Sequence, residues 1–98
     1  MFMRPSEAVA LHRHSIIGLA RQWKLDNPRV FGSVVHGLDR DGSDLDLLVD
    51  APEGITLFDL GGLQSDLEDL LGLAVDLRTP EDLPLAFRDE VLSEARAL

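Results

Sequence analysis

The sequence predicts an α/β domain, in which a small mixed β-sheet carries helices packed mainly on one face. Apolar residues recur at helical spacing in three segments, and short apolar runs typical of strands lie between them. Turns that contain glycine or proline separate the two kinds of segment. The predicted order is helix, strand, strand, helix, strand, helix. A chain of 98 residues with 45% hydrophobic content is expected to form a single folded domain over residues 1–98.

The first half of the chain predicts one helix and two strands. The helix is predicted over residues 7–24, with Ser6 as its N-cap. A short strand at residues 29–31 leads into a Gly-Ser turn. An acidic loop follows, and the second strand is predicted over residues 45–49, mostly buried because four of its five residues are apolar.

The second half predicts a helix, a strand and a final helix. The helix runs from Thr56 to Leu71 and opens with a capping-box pattern, although Gly61 and Gly62 are each expected to weaken it by about 1 kcal/mol relative to alanine. The third strand is predicted over residues 73–77. The last helix starts near Pro80, and its inward-facing stripe is predicted to consist of Phe87, Val91, Leu92 and Ala95.

Charge and composition exclude several classes of function. The net charge is −9, from 18 acidic and 9 basic residues, so a nucleic-acid partner is not expected and a basic protein is the favoured large partner. Cysteine is absent, which excludes disulfides and thiolate chemistry. The N-terminal residues 1–7 lack the apolar core of a signal peptide and no apolar run could span a bilayer, so a cytoplasmic protein without membrane association is expected.

Two aspartates on the second strand predict a metal site. Alternation along a strand places Asp44 and Asp46 on the same face, while the leucines between and beside them enter the core. Mg²⁺ favours one or two carboxylates completed by water and phosphate oxygens. Asp76 becomes a third carboxylate ligand if the third strand lies beside the second, and three carboxylates suit two ions about 3.5–4 Å apart. The alternative, an EF-hand calcium loop, fails because Gly37 and Leu48 would occupy positions that need carboxylates.

The turn before this strand is typical of a triphosphate site. Gly32 and Ser33 offer backbone N–H groups and a hydroxyl to a phosphate. The acidic residues Asp39 and Asp41 are predicted to be part of a solvated turn. Residues 32–37, Gly-Ser-Val-Val-His-Gly, are followed at fixed spacing by the Asp-Leu-Asp segment and then by the Val-Asp-Leu segment at residues 75–77. This pattern resembles the signature of the DNA polymerase β-like nucleotidyltransferases, and the length and ending resemble their minimal, MntA-like antitoxin branch.

The resemblance implies an adenylyltransferase antitoxin with the nucleotidyltransferase fold. Members of this branch pair with a HEPN-domain toxin and transfer AMP from ATP to a tyrosine of that toxin, so a hetero-oligomer is expected. By resemblance, Gly32, Ser33 and His36 bind the nucleotide phosphates. Asp44, Asp46 and Asp76 form the catalytic and Mg²⁺-binding set, and Asp76 also helps to deprotonate the acceptor hydroxyl.

One residue departs from the family pattern and leaves alternatives open. His36 stands where the family commonly has arginine, which weakens the expected grip on the triphosphate unless Arg40 reaches in. A second hypothesis is therefore a catalytically weak antitoxin that binds the toxin and masks it. Nucleotide transfer to an antibiotic or to tRNA is a third, less favoured by a single acidic domain. Exposed apolar surface on the helix that contains Gly61 and Gly62 is a candidate docking face.

Overall fold

A computed structural model describes residues 3–98 of the chain. The elements in chain order are helix α1 (Pro5–Gln22), strands β1 (Asp26–Phe31) and β2 (Leu45–Asp50), helix α2 (Leu57–Leu71), strand β3 (Val75–Arg78), helix α3 (Leu85–Glu94) and strand β4 (Arg96–Ala97). The predicted order of the first six elements is confirmed, and β4 was not predicted. Met1 and Phe2, which begin the segment judged to lack a signal peptide, lie outside the described residues.

The four strands form one mixed sheet in the order β3-β2-β1-β4. Strand β1 pairs antiparallel with both β2 and β4, and β2 pairs parallel with β3. The parallel pairing is possible because α2 carries the chain back between β2 and β3. The predicted fold class, a small mixed sheet with helices, is confirmed.

The core lies between the sheet and the helices α1 and α2. Leu45, Leu47 and Val49 alternate along β2 and are buried in the same apolar cluster as Ile16 of α1 and Leu67 of α2. Helix α1 contacts α2 and β1, and α2 also contacts β3. Between residues 3 and 98, no helix combines the length and the apolar character that crossing a membrane requires.

The start of α1 differs from the prediction. The N-cap is Arg4 and not Ser6, because Pro5 occupies the first helical position and the Arg4 N–H donates to Glu7 Oε1 at 3.0 Å. The Ser6 N–H instead donates to Asp39 Oδ2 at 2.9 Å. Asp39 is buried, so its assignment to a solvated turn was wrong. Although burial opposes ionisation, the hydrogen bond from Ser6 lowers the pKa of Asp39.

The inward-facing stripe predicted for the last helix is wrong in part. Phe87 and Leu92 are exposed, and within Leu85–Glu94 the structure buries no residue fully. The physical reason is the break at Pro84, which separates α3 from the short 3₁₀ turn at Pro80–Asp82. After this break the Arg88 guanidinium turns toward the body of the protein and donates to the Leu83 carbonyl at 2.9 Å.

Candidate active site

The predicted site residues gather where three strands meet. Phe31, at the end of β1, pairs with Asp46 near the start of β2. Asp46 also pairs in register with Asp76 of β3. Paired residues of neighbouring strands project to the same face of a sheet, so the carboxylates of Asp46 and Asp76 lie side by side. The sequence predicted that Asp76 joins Asp46 if the third strand lies beside the second. Strand β3 does lie beside β2.

Asp46 is the electrostatic centre of the site. The pKa of Asp46 is raised to about 6, mainly by burial and also by the neighbouring charges of Asp76 and Asp44. The Arg78 guanidinium opposes this shift. A carboxyl group with such a pKa is costly to ionise in place, and a divalent cation removes that cost by supplying the missing positive charge.

The acidic residues are of the type that binds magnesium, but their side chains do not converge on one point in the structure. Carboxylate oxygens are the ligands that Mg²⁺ prefers. Across residues 3–98 the structure contains no converged group of three His, Cys, Asp or Glu side chains, and Asp44, directly before β2, is exposed. The Arg78 Nε lies 3.1 Å and 3.3 Å from the two carboxylate oxygens of Asp76 and supplies positive charge there. Asp46 and Asp76, which are opposite each other on paired strands, therefore form what we call the register pair. Asp44 is close enough for its charge to raise the pKa of Asp46.

The Gly-Ser turn is in direct contact with the acidic pair. Gly32 has a φ of +72°, and a Cβ atom placed on it would overlap the Asp46 carboxylate. Ser33 lies in a short 3₁₀ turn, Gly32–Val34. Its carbonyl accepts the N–H of Leu38 at 2.9 Å, which closes the loop. The turn and the carboxylate of Asp46 are thus within contact distance, as a site that holds phosphate and metal together requires.

His36 is held by a residue that the sequence did not single out. Its Nε2 lies 3.0 Å from Glu94 Oε2 at the end of α3, and the imidazole is half exposed. Glu94 could not be predicted because the contact joins distant parts of the chain and no local pattern signals it. Arg40, the alternative phosphate ligand, is exposed.

Arg78 also lies in the candidate site, where its Nε donates to the Asp76 carboxylate. Its pKa is raised because it donates a hydrogen bond to Asp76 and lies beside that charge. Alternation along β3 could have revealed this pairing, since residues two apart on a strand share a face. Arg88 is partly buried and donates to the Leu83 carbonyl.

The fold and the site define a nucleotidyltransferase. Residues 18–98 match the model of the nucleotidyltransferase domain family. The chain belongs to this family, and the resemblance predicted from the Gly-Ser and Asp-Leu-Asp segments is confirmed.

Two relatives place the chain near the minimal branch of the family. A protein of Methanocaldococcus jannaschii, named provisionally as a protein adenylyltransferase, is 32% identical over 85% of this chain and 89% of its own length. The protein adenylyltransferase MntA of Thermococcus cleftensis is 43% identical over 66% of both chains. The predicted similarity to MntA-like proteins is therefore confirmed.

Solved structures agree with this placement. A structure described as a minimal nucleotidyltransferase superposes with a TM-score of 0.81 at 39% identity, and the match covers 95% of this chain and 93% of that one. A toxin–antitoxin complex with AMP-PNP gives a TM-score of 0.72 at 26% identity, with 86% and 69% covered. An MNT antitoxin in complex with a tri-AMPylated HEPN toxin from Shewanella oneidensis has the same fold, with a TM-score of 0.67, 23% identity and coverage of 90% and 69%.

Proposed function

We propose that this chain is an antitoxin that transfers AMP from ATP to a tyrosine hydroxyl of a HEPN-domain toxin. In this proposal residues 1–98 act as a single minimal nucleotidyltransferase domain. Asp44, Asp46 and Asp76 are its catalytic and magnesium-binding residues, and Gly32, Ser33 and His36 contact the nucleotide phosphates.

The observation that carries the proposal is the register pair of Asp46 and Asp76 against the Gly-Ser turn. Two carboxylates side by side repel each other, and burial together with this repulsion raises the pKa of Asp46 to about 6. A strand that served only the fold would gain stability from an uncharged residue at this position. The arrangement costs stability, which is typical of residues that perform chemistry.

The proposed reaction is an in-line displacement at the α-phosphorus of ATP. The acceptor hydroxyl oxygen forms a new bond to the α-phosphorus, the bond between that phosphorus and the oxygen leading to the β-phosphate breaks, and pyrophosphate leaves. The Asp76 carboxylate accepts the hydroxyl proton, while Gly32 and Ser33 hold the departing phosphates. Bound magnesium would neutralise the charge that develops on the phosphate oxygens.

The choice of nucleotide and partner is supported by the proteins that the chain resembles. MntA of Thermococcus cleftensis is named a protein adenylyltransferase, and a 26%-identical neighbour was solved as a toxin–antitoxin complex with AMP-PNP. The net charge of −9 is consistent with a basic protein as the acceptor.

The test is intact-mass spectrometry of the HEPN-domain protein encoded beside this chain, after incubation with the chain, ATP and magnesium. We expect an added mass of one or more AMP units. Asp44→Asn and Asp46→Asn should each abolish the addition while leaving the circular dichroism spectrum unchanged. Unchanged transfer by either variant would contradict the metal-site assignment.

A second function, masking without catalysis, is favoured by one observation. The His36 imidazole is paired with Glu94 at 3.0 Å. A carboxylate beside residues 32–37, the phosphate loop, disfavours a triphosphate there because like charges repel. If the toxin gains no mass but forms a stable complex and loses its toxicity, the chain acts as a mask. AMP addition by the wild-type chain excludes masking without catalysis.

A further inference from the structure

Asp39 is a buried carboxylate that the proposed reaction does not use. It lies two residues after the phosphate loop, and only 8% of its surface is exposed. Its Oδ2 atom accepts the Ser6 N–H at 2.9 Å, a contact between residues 33 positions apart in the sequence. We call this hydrogen bond the Asp39 anchor, because it joins the segment after the phosphate loop to the first turn of α1.

The first turn of α1 needs an acceptor of this kind. The first N–H groups of a helix have no carbonyl within the helix to donate to, and Ser6 is the second residue of α1. The positive end of the helix dipole also favours a carboxylate at this place. Although burial opposes ionisation, the hydrogen bond from Ser6 and the charge of Arg4 lower the pKa of Asp39. The Asp39 anchor is therefore a charge-assisted hydrogen bond.

The Asp39 anchor is connected to the phosphate loop by a further hydrogen bond. The N–H of Leu38, the residue directly before Asp39, donates to the Ser33 carbonyl at 2.9 Å. A displacement of Asp39 would move Leu38 and, through this bond, Ser33. The proposed function places Ser33 against the nucleotide phosphates. A continuous series of contacts thus leads from helix α1 to a residue proposed to bind phosphate.

Apolar packing leaves space between the phosphate loop and α1. A cleft with a volume of about 230 Å³ lies there, bordered on the loop side by Val34 and Val35 and on the helix side by Ser6, Val9 and Ala10. Side chains beside a cleft lack partner atoms on one side, so they restrain the loop less than a filled interface would. The hydrogen bond from Ser6 to Asp39 supplies a directional restraint that this packing lacks.

We propose that Asp39 is a positioning residue, whose hydrogen bond to Ser6 holds the phosphate loop on α1 in the conformation that binds a triphosphate. Asp39 does not touch the nucleotide and acts through Leu38 and Ser33. The inference rests on the proposed function, because it takes the phosphate loop to bind the phosphates of ATP.

The affinity for AMP-PNP in the presence of magnesium, measured by isothermal titration calorimetry, tests the Asp39 anchor. Asp39→Ala removes the acceptor, and we expect the affinity to fall roughly tenfold, within the usual range of coupling between two sites. Asp39→Asn keeps a side-chain oxygen that accepts the Ser6 N–H, so it should restore most of the affinity. In transfer assays Asp39→Ala should raise the KM for ATP at a nearly unchanged kcat, because the loop holds the phosphates both before and during the reaction.

Two control variants separate the Asp39 anchor from charge and from stability. Asp41→Ala removes a negative charge from the same segment, but at an exposed position. Gly62→Ala destabilises α2, where the added Cβ would collide with Trp23. Both variants should bind AMP-PNP like the wild type. If either loses as much affinity as Asp39→Ala, the loss reports charge or stability, and the proposal is wrong.

Hydrogen exchange of the wild type tests the same contact without a variant that has to fold. The Ser6 N–H has no acceptor within α1, so its protection from exchange reports the hydrogen bond to Asp39. Saturating AMP-PNP should slow its exchange by the same factor of roughly ten, because coupling between two sites is reciprocal. Fast exchange of this N–H, or protection that AMP-PNP does not change, overturns the proposal.

The wild type distinguishes failure of the proposed function from failure of the role given to Asp39. If the wild type binds no AMP-PNP, the proposed function fails, and the role of Asp39 fails with it. If the wild type binds AMP-PNP and transfers AMP, and Asp39→Ala does both equally well, only the role of Asp39 is refuted.

Discussion

Gly32 is the residue on which the position of Asp46 depends most directly. Its φ of +72° already disfavours a side chain, and a Cβ would also overlap the Asp46 carboxylate. We expect Gly32→Ala to displace the Asp46 carboxylate and to reduce the rate of AMP transfer by about 100-fold. A misplacement of about 1 Å in an active site is enough for a loss of that size. The measurement is the initial rate of transfer.

Gly37 provides the control for this prediction. It has a comparable φ of +68°, but a Cβ there meets no atom within 4 Å. Gly37→Ala therefore carries the same backbone strain without the collision, and we expect it to retain most of the transfer activity. Equal losses in the two variants would show that strain in the loop, and not contact with Asp46, limits the reaction.

Asp46 should reduce the stability of the fold at neutral pH. Its pKa is about 6 in the folded state, whereas the ordinary value for an aspartate is 3.8, so the folded protein binds this proton more tightly than the unfolded chain does. The penalty for ionisation is absent below the lower value, grows as the pH rises between the two values, and stays constant above the higher one. We expect Asp46→Asn to raise the Tm in metal-free buffer at about pH 7.5.

The same variant at low pH tests the cause. Near pH 4 most of the penalty has disappeared, so the Tm values of Asp46→Asn and the wild type should converge. A difference in Tm that did not change with pH would mean that the asparagine acts through packing. In that case the raised pKa would not be the source of the effect.

The sequence predicted the acidic and glycine residues of the candidate site and missed Arg78 and Glu94, which contact Asp76 and His36. Asp46 and Asp76 follow from strand alternation together with the family motif, and both are local patterns. The contact of His36 with Glu94 depends on where α3 ends relative to the phosphate loop. That distance is set by tertiary packing, which one-dimensional patterns do not contain.

Among the elements, helix α2 shows why a glycine cannot be interpreted from propensity alone. The sequence predicts that Gly61 and Gly62 weaken the helix equally. In the structure a Cβ on Gly62 would collide with the Trp23 ring, whose Nε1 donates to Asp66 at 2.8 Å. A Cβ on Gly61 would meet no atom within 4 Å.

We therefore expect opposite effects from two neighbouring substitutions. Gly61→Ala should raise the free energy of unfolding by about 1 kcal/mol, because it improves helix propensity in open space. Gly62→Ala should lower it by about 1–3 kcal/mol, because Trp23 must move. Urea unfolding measures both, and a gain in stability from Gly62→Ala would show that the indole ring relocates freely.

Helix boundaries were predictable where capping is local. Helix α2 begins directly after Thr56, whose hydroxyl accepts the Asp59 N–H at 3.3 Å, and the capping-box pattern predicted this start. Strand β4 was not predicted, because two residues, Arg96 and Ala97, carry no periodic signal and depend on β1 for their pairing. The outward orientation of α3 was missed because the helical pattern does not say which side of a helix meets the core.

For the whole molecule, the strand order β3-β2-β1-β4 is what creates the site. It places the end of β1 and the starts of β2 and β3 at one edge, where the Gly-Ser turn and the two register-paired aspartates meet. The sequence predicted the number and order of the first six elements. The adjacency of β2 and β3 could only be stated as a condition, because hydrophobic patterns do not specify which strands pair.

The net charge of −9 predicts how the chain meets its acceptor. Long-range attraction to a basic HEPN-domain protein accelerates association, and salt screens it over about 8–10 Å at physiological ionic strength. We expect the association rate to fall roughly tenfold between about 50 and 300 mM NaCl, with little change in the dissociation rate. Stopped-flow or surface-plasmon measurements separate the two rates.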